Sequence, residues 1–277
     1  MSVIPLPASD GLAMSKFSCV LVFIMTACIS MSAVADVKVA VAANFKPTLT
    51  LLVEQFMLEH PNTHVSISSA STGVLYAQIE RGAPFDLFLS ADSERPRRLE
   101  QKSLVEKNTR KNYALGQLVL WIKGQSDVAA SSLDTLTGRL AIANPKLAPF
   151  GLAAEQSLQK LEKYEQLKPR IVMGNNVAQT AHYIQTGAAQ AGFVALSQVL
   201  SITSDAKEYW LLPSHLYSPI NQQMAVIKQK GRSEKETKET LALYQFILST
   251  KGQGLIIKSG YQSSEIQTTP RVKPDAQ

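Results

Sequence analysis

Four short segments place small or polar residues where a strand is expected to end and a helix to begin. They are Ala43-Asn44, Ser71-Thr72, Phe150-Gly151 and Asn176-Val177. The first N–H groups of a helix lack internal acceptors, and the helix dipole adds about half a positive charge there. Several helix starts directed at one cleft would therefore bind an anion without Lys or Arg. Each start taken alone is more often an ordinary helix cap, so the prediction depends on their joint occurrence.

The other residues that could do chemistry form no catalytic motif. His60 and His64 are four residues apart, but Pro61 lies between them, which favours a surface or loop role over a metal site. Asp86 and Asp92 flank an apolar segment and are better explained as caps than as a general acid and base. The patterns G-x-G-x-x-G, G-x-x-x-x-G-K-[ST], G-x-S-x-G and H-E-x-x-H do not occur. We therefore expect no catalytic residue, no resident metal and no cofactor.

The N-terminal segment is typical of an export signal. Lys16 precedes an apolar run that ends at Ile29, and Ala33-Val34-Ala35 is a suitable cleavage site. The run of about a dozen residues is shorter than the roughly 20 of a transmembrane helix, so a permanent anchor is the weaker interpretation. We predict that residues 1–35 are a cleaved signal peptide. The alternative is a lipoprotein, in which a degenerate lipobox ends at Cys28.

Composition and charge agree with an exported globular protein. Of 277 residues, 45% are hydrophobic, and 28 Lys and Arg against 22 Asp and Glu give a net charge of +6. The two cysteines, Cys19 and Cys28, fall within the predicted signal, so we expect no disulfide in the mature chain. The basic residues are scattered and not interleaved with aromatic residues, which disfavours nucleic-acid binding. The charge indicates instead a mild attraction for small anions.

The elements that must position the four segments follow an alternating pattern. Segments 37–42, 63–69 and 85–89 are typical strands. The first two precede apolar residues at helical spacing, and the third precedes a charged helix at about 94–102. Asn44 is a suitable cap for the first helix. The same alternation recurs from Arg139 onwards. The pattern predicts parallel βαβ units and an α/β fold, in which ligands bind at the carboxyl ends of the strands.

Two further apolar runs indicate how the chain divides. Leu118 to Ile122 and Met224 to Ile227 are candidates for strands that cross between two lobes. On that basis lobe 2 is inserted into lobe 1, and a polar tail follows. The predicted divisions are lobe 1 at 36–117 and 224–262, lobe 2 at 118–223, and the C-terminal tail at 263–277.

Three segments resemble the periplasmic molybdate-binding proteins of ABC importers. They are Ala42-Ala43-Asn44-Phe45, the segment SASTG at 69–73, and the segment at 78–92, whose pattern Q-I-x-x-G-A-P-x-D-L-F-x-S-A-D is long and specific. The resemblance runs from about Val37 to Tyr261. It implies a two-lobed periplasmic-binding-protein fold of type II-like architecture, with the ligand in the interlobe cleft. It also implies that a tetrahedral oxyanion, molybdate or tungstate, passes to a membrane permease with a cytoplasmic ATPase.

The resemblance further implies which residues hold the oxyanion. Lobe 1 would contribute a side-chain amide, a hydroxyl and backbone, and lobe 2 would contribute backbone N–H groups. The implied oxyanion-binding residues are Ala43, Asn44, Thr72, Phe150 and Val177. The sequence differs from some members of the family, since asparagine occupies position 44 where a serine is frequent, and Ala195 replaces a contacting tyrosine.

A site made only of donors suits a dianion that has no proton at neutral pH, such as molybdate. Phosphate retains a proton and would require an acceptor such as Asp. Two alternatives remain: a binding protein for another oxyanion such as sulfate, and an exported hydrolase, for which the sequence offers no nucleophile with a base. We expect a monomeric binding protein without enzymatic activity.

Overall fold

The computed structural model of the protein describes residues 35–202 and 208–263. The predicted signal peptide, apart from Ala35, and the predicted tail, apart from Ser263, lie outside these residues. Strands in the described part are β1 (Ala35–Ala42), β2 (Thr63–Ala70), β3 (Leu87–Leu89), β4 (Lys111–Gly116), β5 (Leu118–Trp121), β6 (Leu140–Ala143), β7 (Ile171–Gly174), β8 (Ala191–Ala195), β9 (Tyr209–Leu211) and β10 (Ile220–Val226). Its α-helices are α1 (Lys46–Glu59), α2 (Thr72–Glu80), α3 (Glu94–Gln101), α4 (Pro149–Lys160), α5 (Tyr164–Leu167), α6 (Val177–Gln185), α7 (Leu196–Ile202), α8 (Glu234–Leu248) and α9 (Thr250–Lys258).

The strands form two five-stranded sheets, one in each lobe. The first has the order β2-β1-β3-β10-β4 and the second the order β7-β6-β8-β5-β9. β1 is parallel to β2 and β3, and β6 is parallel to β7 and β8, as the βαβ pattern predicts. β10 and β5 run antiparallel to both of their neighbours. The predicted α/β fold with two lobes is confirmed, and its sheets are mixed because each contains one strand of reversed direction.

The chain passes between the sheets at two places. A single residue, Gln117, separates β4 of the first sheet from β5 of the second. The return to the first sheet is made by β10, which begins at Ile220, four residues before the predicted boundary. We propose the same division into an outer lobe 1 and an inserted lobe 2, with the return placed at Ile220.

Helices cover both faces of the first sheet, and residues 39–42 of its strand β1 are buried. Val39 and Val41 of β1 pack with Phe45 and Leu49, whereas Ala40 packs on the other face with Phe88. Neighbouring residues of a strand point to opposite faces, so burial of both faces explains the continuous apolar run in β1. The second lobe has its own apolar cluster around β5, β6 and β8. Each lobe is therefore a framework that holds the ends of its strands in place.

Helix α1 begins later than the sequence indicates. Its N-cap is Phe45, which makes no side-chain capping bond, and Pro47 lies in the first turn. Asn44 is consequently not the cap but part of the turn between β1 and α1.

Within residues 35–202 and 208–263, no helix combines the length and hydrophobicity required to span a membrane.

Candidate functional site

A small cavity of about 10 Å³ lies between the lobes, at the carboxyl ends of β1, β2 and β6. A cavity this small excludes a sugar or a peptide. All five residues implied by the sequence resemblance line the cavity, and Ser71 and Asn176 line it as well. The described residues that surround the cavity include no charged side chain.

Four backbone N–H groups at the cavity have no acceptor among the described residues. They belong to Asn44, Thr72, Phe150 and Val177. Thr72 and Val177 are the first residues of α2 and α6, and Phe150 is the second residue of α4, so their N–H groups precede the helical hydrogen-bond pattern. The positive ends of three helix dipoles therefore meet at this point and give it a positive potential without a cation.

Two hydroxyl groups add to the donors. Ser71 Oγ is buried and has no hydrogen-bond partner among residues 35–202 and 208–263. Thr72 Oγ1 accepts the N–H of Ala91 at 3.0 Å, which leaves its own proton available to donate. Both side chains line the cavity. Together with the four N–H groups they provide six donors from four segments, two in lobe 1 and two in lobe 2.

Ser71 lies in one of the four helix starts that the sequence singles out, but it is not among the five oxyanion-binding residues that the resemblance implies. Its position before α2 identifies it as a helix cap, and an ordinary cap would use its hydroxyl to accept an N–H of the first turn. Ser71 is the N-cap residue, but its side chain makes no capping bond. Whether a hydroxyl accepts a backbone N–H or remains free depends on the surrounding fold, so the signal for this role is absent from the sequence.

In the turn after β1, the donors that are free to bind a ligand differ from those that the sequence predicts. The N–H of Ala43 donates to the carbonyl of Ala70 at 3.0 Å, so we place the free backbone donor of this turn at Asn44. The amide Nδ2 of Asn44 donates to Gln222 Oε1 at 2.8 Å and to the Tyr261 hydroxyl at 3.1 Å. Since both protons of this amide are used inside the protein, the side chain of Asn44 holds the turn in position.

The second-lobe donors are held by local features of their helices. At Gly151, an added Cβ would lie 2.1 Å from the carbonyl oxygen of Ala143, so only glycine lets α4 begin against the end of β6. Asn176 caps α6, because its Oδ1 accepts the N–H of Gln179 at 2.9 Å, and this leaves the N–H of Val177 for the cavity. Ala195, at the end of β8, is buried but does not line the cavity.

Contacts between the lobes close the structure around this site. The N–H of Gly73 in α2 donates to the carbonyl of Leu147 at 3.0 Å. Arg95, paired with Asp92 in lobe 1, donates from Nη2 to the carbonyl of Lys146 at 3.0 Å. A ligand in the cavity would therefore be enclosed by protein from both lobes.

Two α/β lobes that enclose a small cavity lined by helix starts define the class of two-lobed solute-binding proteins. Residues 37–262 match the family described as bacterial extracellular solute-binding protein, and the chain belongs to this family.

Relatives with a stated ligand are similar over most of the chain. The molybdate-binding protein ModA of Azotobacter vinelandii is 40% identical over 235 residues, which is 82% of this chain and 90% of that protein. The ModA of Rhodobacter capsulatus is 36% identical, with 83% and 89% covered. The structure of the periplasmic molybdate-binding protein of Azotobacter vinelandii has a TM-score of 0.75 at 36% identity, and the match covers 83% of this chain and all of that chain.

Proposed function

We propose that this protein captures molybdate in the periplasm and delivers it to the membrane permease of an ABC importer. The observation that carries the proposal is the set of six unpaired donors, from Asn44, Ser71, Thr72, Phe150 and Val177, around a cavity without charged side chains. A tetrahedral dianion accepts hydrogen bonds at every oxygen and donates none. Membership of the solute-binding family and the ligand named for the relatives support the same assignment.

The donors are sufficient in number for tight binding. A hydrogen bond to a charged group contributes about 1.5–3 kcal/mol, so six contribute roughly 9–18 kcal/mol before the costs of lobe closure and desolvation. Micromolar affinity requires only about 8 kcal/mol. Neutral donors on rigid helix starts therefore provide enough free energy without a salt bridge to Lys or Arg.

Ligand chemistry separates the candidates that the site could accept. Tungstate has the charge and shape of molybdate, and we propose that it binds as well. Sulfate is also a dianion without a proton and is the second candidate, because the donor set satisfies it equally and only the cavity size discriminates. Phosphate carries a proton at neutral pH, and the described residues around the cavity offer it no carboxylate acceptor.

We propose a binding role without catalysis. The hydroxyl of Ser71 has no partner, so no base is positioned to activate it as a nucleophile. Thr72 Oγ1 is paired with a backbone N–H and likewise lacks a base. Export with a cleaved signal peptide and a monomeric state in the periplasm complete the proposal.

A thermal-shift titration of the mature protein with molybdate, tungstate, sulfate and phosphate tests the function. A ligand at 100 times its dissociation constant adds about 2.7 kcal/mol to the free energy of unfolding. We expect molybdate and tungstate to raise the melting temperature and phosphate to leave it unchanged. A sulfate shift equal to that of molybdate would replace the proposal by the second candidate, and no shift with any of the four anions would refute both. Turnover of ester or phosphoester substrates would indicate an enzyme instead.

A further inference from the structure

Two side chains of lobe 2 that do not line the cavity contact the turn after β1. Ser197 and Gln198 lie at the start of α7, directly after β8. Ser197 Oγ lies 3.1 Å from the carbonyl oxygen of Asn44, and Gln198 Nε2 donates to the same oxygen at 3.3 Å. Gln198 Nε2 also reaches the carbonyl of Ala43 at 3.4 Å. These bonds cross from one lobe to the other and end on the turn that carries the free N–H of Asn44.

The hydroxyl of Tyr261 completes this contact from the side of lobe 1. It donates to the carbonyl of Asn44 at 2.9 Å, accepts the Asn44 amide at 3.1 Å and lies 2.8 Å from Ser197 Oγ. With its proton on the Asn44 carbonyl, the Tyr261 hydroxyl accepts from Ser197. The carbonyl, the amide and both hydroxyls are then satisfied at once, although all three residues are buried.

Opening of the lobes would break this network. Ser197 and Gln198 lie in lobe 2 and Asn44 and Tyr261 in lobe 1, so separation of α7 from the turn after β1 would remove the partners of Ser197 and Gln198. The side chains of Ser197, Gln198 and Tyr261 do not line the cavity. The contribution of the network to closure is therefore independent of which anion is bound.

We propose that Ser197, together with Tyr261, forms an interlobe latch that raises the population of the closed form, and that Ser197 is a positioning residue for oxyanion binding. The inference rests on the proposed function only for the identity of the ligand. When binding requires the closed form, the apparent dissociation constant equals the intrinsic constant divided by the closed fraction. Loss of the latch consequently weakens the binding of every anion by the same factor and leaves the preference among anions unchanged.

The test compares Ser197→Ala with Ser201→Ala in the mature protein. Ser201 lies on the same helix and donates to the carbonyl of Gln198, within its own lobe. We expect Ser197→Ala to raise the dissociation constants of molybdate and tungstate by an equal factor of about three to ten, the effect of one lost hydrogen bond. Stopped-flow tryptophan fluorescence should show a faster dissociation rate. Ser201→Ala should match the wild type.

Two results of the binding measurements would overturn the latch. One is an unchanged affinity in Ser197→Ala, and the other is a changed ratio of molybdate to tungstate affinity, which would place the hydroxyl in contact with the ligand. Small-angle X-ray scattering of the ligand-free proteins gives a readout that needs no ligand: Ser197→Ala should have a larger radius of gyration than the wild type, and an equal radius refutes the latch. If the wild type binds neither anion, the proposed function fails while the scattering comparison still decides on the latch. Tyr261→Phe, which removes only the hydroxyl, should likewise raise the dissociation constants and increase the radius of gyration of the ligand-free protein.

Discussion

The binding role is assigned to groups that have no partner inside the protein. Ser71 Oγ and the N–H of Thr72 are buried at the cavity, and neither meets an acceptor among the described residues. A buried donor without an acceptor costs about 1–3 kcal/mol. An anion that accepts from these donors would remove that cost, so we expect this saving to contribute to the affinity.

Ser71→Ala should weaken molybdate binding by more than tenfold. The substitution deletes one hydrogen bond to a charged group, worth about 1.5–3 kcal/mol, and leaves the backbone of α2 unchanged. Isothermal titration calorimetry measures the change. Ser69→Ala is the matched control, because Ser69 is exposed near the end of β2 and should bind as the wild type does. Equal affinities of the two variants would remove Ser71 from the site.

Thr72→Ala should also weaken binding by more than tenfold. It removes a donor to the anion and leaves the N–H of Ala91 without its acceptor. Thr72→Ser keeps the hydroxyl and should retain most of the affinity in the same titration.

Asn44→Ala should lose more than tenfold in affinity by another route, because the turn would lose its bonds to Gln222 and Tyr261. Unchanged affinity in Thr72→Ala or Asn44→Ala would exclude that residue.

At the scale of the elements, the site depends on how closely helix starts approach strand ends. α4 begins six residues after β6, and the Cβ position of Gly151 is occupied by the carbonyl of Ala143. The N–H of Phe150 is directed by this contact. A shift of the helix start would misplace a donor whose side chain plays no part in binding.

Gly151→Ala should therefore reduce both stability and affinity. The added methyl group forces α4 away from β6, since backbone atoms at 2.1 Å cannot yield as a flexible side chain would. Gly254→Ala is the control, because nothing lies within 4 Å of its Cβ position in α9. An alanine there should stabilise the helix by about 0.5–1 kcal/mol without affecting binding. Chemical denaturation and calorimetry on both variants test the pair, and wild-type affinity in Gly151→Ala would contradict the role of this contact.

Local chemistry explains which elements could be predicted. Pro149 and Gly151 mark the start of α4, and Asn176 marks that of α6, because helix caps act within a few residues. The predicted cap at Asn44 was wrong, since Phe45 and Lys46 begin α1 and the asparagine bonds to residues far along the chain. The free hydroxyl of Ser71 and the early start of β10 at Ile220 likewise depend on tertiary contacts. Sequence therefore predicted the positions of the donors better than the partners of the side chains.

At the scale of the whole molecule, Tyr113 and Tyr261 are buried in lobe 1, and the hydroxyl of Tyr261 also contacts lobe 2. Burial raises the pKa of Tyr113 well above its usual value, and burial also raises the pKa of Tyr261. The Tyr113 hydroxyl donates to the carbonyl of Ser90 at 3.1 Å or to Gln222 at the same distance. Both phenols are therefore neutral in the folded state at pH values where they ionise in the unfolded chain.

This difference predicts a loss of stability at high pH. A tyrosine whose pKa is raised in the folded state contributes its full stabilising free energy at pH values below its unfolded-state pKa of about 10. This contribution is lost as the pH rises toward the folded-state pKa. The free energy of unfolding should fall above pH 10 by up to about 1.4 kcal/mol per pH unit for each such tyrosine. Urea denaturation between pH 8 and 11 measures the slope, which should be smaller in Tyr113→Phe. Identical slopes would show that this phenol ionises equally in both states.

The central claim is that one molybdate binds in the cavity between the lobes and is held by uncharged donors from both. Anomalous diffraction at the molybdenum absorption edge, from crystals of the mature protein grown with molybdate, locates the metal directly. We predict one strong peak, enclosed by Asn44, Ser71, Thr72, Phe150 and Val177, with oxygens at about 2.7–3.1 Å from their donors. A peak elsewhere on the protein, or no peak in crystals saturated with molybdate, would contradict the account.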